Sequence, residues 1–136
     1  MKRLFQAKPL FVASILYTLL LTWGSLVTIS ISGSPFKLSD KVFHIIAYFG
    51  LTLVWFIWKY IAVEGSGNSG YKSSTIWIIA LLACVYGMII EVIQGQFTDD
   101  RITDFADVIA NIFGIVTAII LIGLLNKKGI LRKIKF

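Results

Sequence analysis

The chain has 136 residues, of which 57% are hydrophobic and 15% charged, with a mean hydropathy of +0.85. That composition lies outside the range of soluble domains. The net charge of +6 does not call for nucleic acid, because the basic residues cluster beside apolar stretches on one side of a membrane.

Four stretches free of Asp, Glu, Lys and Arg run over residues 9–36, 42–58, 73–90 and 108–126. Each approaches the ~17–25 residues a helix needs to cross ~30 Å of hydrocarbon. The fold class expected is therefore an all-α integral membrane protein, with four transmembrane helices in an antiparallel bundle. A single membrane domain spans residues 1–136, leaving no room for a soluble one.

The first span is expected over residues 10–31 and is too long for a signal-peptide apolar region of ~7–15 residues. Ser32-Gly33-Ser34-Pro35 ends it. Ser39-Asp40 caps the second span, expected over 42–61, where Trp55, Trp58 and Tyr60 suggest an aromatic belt. Residues 64–70 form a flexible polar loop without a phosphate-binding motif. The third span is expected over 75–95, and its Cys84 is a small packing residue rather than part of a disulfide or metal framework. A short loop carries Asp99, Asp100 and Arg101, with Asp99 and Asp100 read as solvated charges. Thr103-Asp104 then caps the fourth span, expected over 105–125. Gly129 marks a break before a short basic amphipathic tail.

Lys2, Arg3, Lys8, Lys59, Lys72, Lys127, Lys128, Arg132, Lys133 and Lys135 make ten of the thirteen basic residues and fall on one side of the four-span topology. This positive-inside pattern puts both termini in the cytoplasm, with the C-terminal cluster against anionic headgroups. The loops after the first and third spans then face the opposite side.

Near that opposite side stand Asp40, Lys41, His44 and Tyr48, then Glu91 and Gln94, then Arg101, Asp104, Asp107 and Asn111. Asp40, His44 and Tyr48 recur every four residues and share a helix face. Gly87, Glu91 and Gln94 share another, and Asp104, Asp107, Asn111 and Gly114 a third. Charge facing lipid at such depth costs a few kcal/mol, so the three faces should turn inward and meet. Gly87 and Gly114 are expected to let the third and fourth helices approach closely. Lys41 with Glu91, and Arg101 with Asp104 or Asp107, are the expected ion pairs. Asp40, Glu91, Asp104 and Asp107 against Lys41 and Arg101 leave the cluster at −2, which suits a cation, an amine or a hydroxyl-rich headgroup. Alternatively the polar groups only brace the bundle.

Three ordered motifs carry a family resemblance: Asp40-Lys41-Val42-Phe43-His44-Ile45-Ile46-Ala47-Tyr48-Phe49, then Tyr86-Gly87 through Glu91 to Gln94, then Arg101, Asp104, Asp107, Asn111 and Gly114. Over about residues 10–125 the chain resembles the VanZ-like family. The resemblance implies a multi-pass protein of the bacterial cell membrane and a link to low-level resistance against teicoplanin, a lipid-bearing glycopeptide. One departure is Asp99-Asp100 before Arg101, where the family often has a Pro-Gly turn.

The leading expectation is a non-enzymatic envelope factor whose outer-facing site binds a membrane lipid, a lipid-linked envelope precursor or a lipoglycopeptide. An intramembrane enzyme would use His44 as general base, Asp40 or Asp107 to orient it, and Glu91 as proton donor or metal ligand. No nucleophile motif or paired-His motif supports that, and one histidine with carboxylates is not a specific cation spacing. No cofactor or resident metal is therefore expected. Scaffolding through an oligomer or protein partner is a third role, and four spans without inverted repeats argue against a monomeric transporter.

Overall fold

The computed structural model describes residues 2–26, 37–65, 74–97 and 105–133, with side chains over 7–26, 41–63, 74–96 and 105–131. The elements are α1 (Lys2–Leu26), α2 (Lys37–Gly65), α3 (Ser74–Phe97), α4 (Phe105–Lys127) and α5 (Ile130–Lys133), and no strand occurs among the described residues. Four helices are long and apolar enough to cross a membrane, and the chain is a multi-pass membrane protein. Glu64 and Gly65 of the expected polar loop belong to α2, while residues 66–70, Asp99, Asp100, Arg101, the Thr103-Asp104 cap and residues 27–35 lie outside the described residues.

Each helix extends beyond its expected span. α1 starts eight residues before residue 10 and runs through Pro9, forfeiting one backbone hydrogen bond there. The proline ring is exposed, and Ala7 is buried in the core, which anchors the extra turns. α2 has 29 residues, roughly 43 Å of helix, so its ends project beyond the hydrocarbon.

The order of interhelical contacts fixes the topology. Ser14 bonds to Val54 and Tyr17 to Ala47, so α1 and α2 run antiparallel. Lys41 meets Asp107 and His44 meets Asn111, so α2 and α4 run parallel. α3 opposes α2, since His44 faces Glu91 while Tyr48 lies beside Gly87. The result is an up-down-up-down bundle in which α2 and α4 share the most extensive interface.

The interior is built from small residues and the exterior from large apolar ones, the arrangement lipid imposes. Ala47, Ala80, Ala83, Ala110 and Ala118 are buried, while Leu20, Trp23, Leu81 and Phe113 stand more than 60% exposed. Two apolar clusters stack along the bundle: Tyr48, Leu51, Ala83 and Ile115 at mid-depth, then Phe56, Tyr60, Ile76 and Ile122. Cys84 packs against the first of these clusters.

Several expectations need correction. Ser39-Asp40 does not cap the second helix, because α2 begins at Lys37 and both residues lie inside its first turn. A Cβ on Gly114 would strike the backbone carbonyl of Ile45 and approach the Phe49 nitrogen at 3.0 Å, so this glycine admits α2, not α3. Tyr60 is no belt residue at the lipid interface. It is buried, stacks on Phe56, and donates its hydroxyl to the Leu131 carbonyl at 2.9 Å. That bond docks α5 after Gly129, which takes the left-handed conformation at φ 66° that ends a helix without Cβ strain.

Candidate functional site

At the end of the bundle where α2 and α4 begin and α3 finishes, helical spacing lines up polar side chains on facing stripes. α2 contributes Lys41, His44 and Tyr48, α3 contributes Glu91 and Gln94, and α4 contributes Asp107 and Asn111. His44, Glu91, Gln94 and Asn111 are each at most 3% exposed and Asp107 8%. These residues turn inward because exposing them to hydrocarbon costs several kcal/mol, while the opposite faces carry Phe43, Ile46, Val92 and Ile109 outward.

His44, Glu91 and Asp107 bring one potential ligand atom each to within 4.8 Å of the other two. The His44 Nδ1–H donates to the Asn111 side-chain carbonyl at 3.0 Å, and the same nitrogen lies 3.8 Å from Glu91 Oε1. Lys41 donates from Nζ to Asp107 Oδ1 at 3.2 Å at the site's rim. Lys41 thus reaches Asp107 on α4, whereas the sequence pairs it with Glu91. The reason is the parallel run of α2 and α4, which holds residue 41 level with residue 107 while Glu91 faces His44, one turn deeper.

Gly87 allows the three helices to close. A Cβ there would come within 3.0 Å of the Tyr48 ring and 3.2 Å of Asn111 Nδ2. Tyr48 is 1% exposed, and neither its hydroxyl nor the Asn111 amide nitrogen has a hydrogen-bond partner among the described residues. Buried polar atoms of this kind are uncommon and call for an explanation. Gln94 points toward α1, donating to the Ser25 carbonyl at 2.6 Å. Asp40 lies in α2, one turn before His44, with its side chain outside the described residues. Arg101 and Asp104 also lie outside them.

A second polar element escaped sequence reasoning. Thr18 and Thr22 in α1 each bond to the carbonyl four residues back. Trp55 donates to the Thr18 hydroxyl at 3.1 Å, and the Tyr86 and Thr22 hydroxyls meet at 2.8 Å. The four-residue recurrence of Ser14, Thr18 and Thr22 was the available signal. Below these bonds a groove of about 420 Å³ opens over α2 and α3, lined by Trp55, Trp58, Lys59, Ile79, Leu82 and Tyr86 among others.

A model of the VanZ/LLP1 family matches residues 5–126, a span that contains every site residue described above. No curated protein and no solved structure matches the chain.

Proposed function

Because the chain belongs to the VanZ/LLP1 family, we propose that the polar end of its bundle binds the headgroup of a lipid-linked envelope precursor or a lipoglycopeptide. Binding there lowers drug access to the envelope target and contributes to low-level teicoplanin-type resistance. The observation that carries this reading is the convergence of His44, Glu91, Asp107 and Asn111 from three helices at one end of the bundle. Glu91 and Asp107 against Lys41 leave one net negative charge among these groups, a balance suited to an amine or a sugar-rich headgroup. The apolar groove deeper in the bundle, from Tyr86 toward Lys59, suits an acyl chain.

The test is teicoplanin tolerance in a bacterial host expressing the chain. Glu91→Gln and Asp107→Asn should each abolish tolerance at unchanged protein level. Tolerance that persists in both variants removes the site from the phenotype.

The Nδ1 bond from His44 to Asn111 favours one second reading, hydrolysis of an envelope lipid with His44 as general base. Purified protein should then turn over envelope lipid, and His44→Ala should not. Absence of turnover with every lipid class sinks it.

A further inference from the structure

We propose that His44, Glu91 and Asp107 form a binding site for a divalent first-row cation, Mn²⁺ or Zn²⁺, in the polar end of the bundle. In a tetrahedral site two ligands at about 2.1 Å stand about 3.4 Å apart. The three ligand atoms lie within 4.8 Å of one another, and His44 and Glu91 already approach to 3.8 Å. Closing the set takes a movement of up to about 1.4 Å between the widest pair, within the reach of side-chain rotations. One imidazole nitrogen with two carboxylate oxygens matches Zn²⁺ and Mn²⁺ better than Mg²⁺, which prefers oxygen ligands and retains its waters. Three protein ligands leave coordination positions open, as in sites where the cation also takes an exchangeable ligand.

The surroundings support the assignment independently of the trio. His44 Nδ1, the atom that faces Glu91 at 3.8 Å, is held at 3.0 Å by the Asn111 carbonyl, and a cation bound there would take the place of the Nδ1 proton. The Tyr48 hydroxyl and the Asn111 amide nitrogen are 98% or more buried and lack partners among the described residues. The Tyr48 ring and the Asn111 amide nitrogen both lie against Gly87, one turn from Glu91 on α3. Both groups can donate a proton, and an oxygen ligand completing the cation's shell would accept it. That oxygen comes from water or from a bound headgroup. Lys41 already places a positive charge on Asp107 at 3.2 Å, with its side chain 33% exposed. It holds the place of the cation and can swing outward when one arrives.

The site coincides with that of the headgroup reading but does not depend on it, since cation binding is measured without lipid or drug. The experiment uses the full chain without a histidine tag, in detergent, stripped with chelator and dialysed against Mn²⁺ or Zn²⁺. One equivalent should bind, with a rise in melting temperature, and excess Mg²⁺ should not displace it. His44→Ala, Glu91→Gln and Asp107→Asn should each weaken binding tenfold or more. Lys41→Gln should tighten it severalfold by removing the competing ammonium. Binding below one equivalent, or binding that survives all three ligand substitutions, overturns the proposal. If Glu91→Gln does not fold, Asp107→Asn, the ligand next to Lys41 at the rim, decides the question.

Discussion

Asn111 ties the imidazole of His44 to α4 through its carbonyl, and its amide nitrogen lies against Gly87. Asn111→Leu removes that acceptor from a ring only 3% exposed. Leaving a buried donor unsatisfied costs about 1–3 kcal/mol, so the variant should melt lower by that amount in detergent. Adding His44→Leu should recover part of the loss, because the orphaned donor goes too. Equal melting of Asn111→Leu and the parent would show that the bond contributes nothing. At this scale the sequence placed His44, Glu91, Asp107 and Asn111 on inward faces, since a four-residue recurrence fixes which side of a helix a residue occupies. It did not fix who meets whom. That depends on how each helix is rotated and on its height against its neighbour, which is why Lys41 was matched to Glu91 and lies on Asp107. Tyr60 departs from the belt for a related reason: its hydroxyl finds the Leu131 carbonyl, a contact 71 residues away.

The seam between α2 and α4 rests on a missing side chain. Any Cβ at Gly114 meets the Ile45 carbonyl and the Phe49 nitrogen, which are backbone atoms and cannot swing aside. Overpacking of this kind costs about 1–3 kcal/mol. Gly114→Ala should therefore destabilise the bundle by that amount in a thermal melt, while Gly123→Ala, with nothing within 4 Å of its Cβ, should not. Similar melting of the two variants would mean that the seam yields easily. Spans as elements were easy to recognise, because long uncharged apolar runs have few alternatives. Their ends were not, since Pro9 reads as a start signal and the burial of Ala7 overrides it. The serine and threonine ladder of α1 was overlooked because hydroxyls are mild enough in hydropathy to disappear within an apolar run.

The whole molecule has two distinct ends, one polar and one closed by α5, and the uneven distribution of basic residues predicts which faces the cytoplasm. With Cys84 replaced by Ser, a cysteine introduced at Asn68 should react with an impermeant thiol reagent only after cells are opened. One introduced at Thr98 should react in intact cells. The opposite pattern would invert the orientation and place the polar end inside. The count of spans and the existence of a shared polar end were legible because both follow from the cost of charge in hydrocarbon. The groove over α2 and α3 was not, since it arises where α1 and α3 part below the Thr22 and Tyr86 contact, a matter of packing that no local pattern encodes.

The parallel pairing of α2 and α4 also sets a timetable for biosynthesis. A chain made from its N-terminus delivers His44 first, Glu91 some fifty residues later, and Asp107 and Asn111 last. His44 therefore emerges from the ribosome well before Asn111, the partner that orients its imidazole. Glu91 sits one turn and a half from the end of the strongly apolar α3, where the rest of the helix can carry it in. The polar site is thus completed only when α4 joins the bundle, and a chain that stops before residue 107 lacks both Asp107 and Asn111.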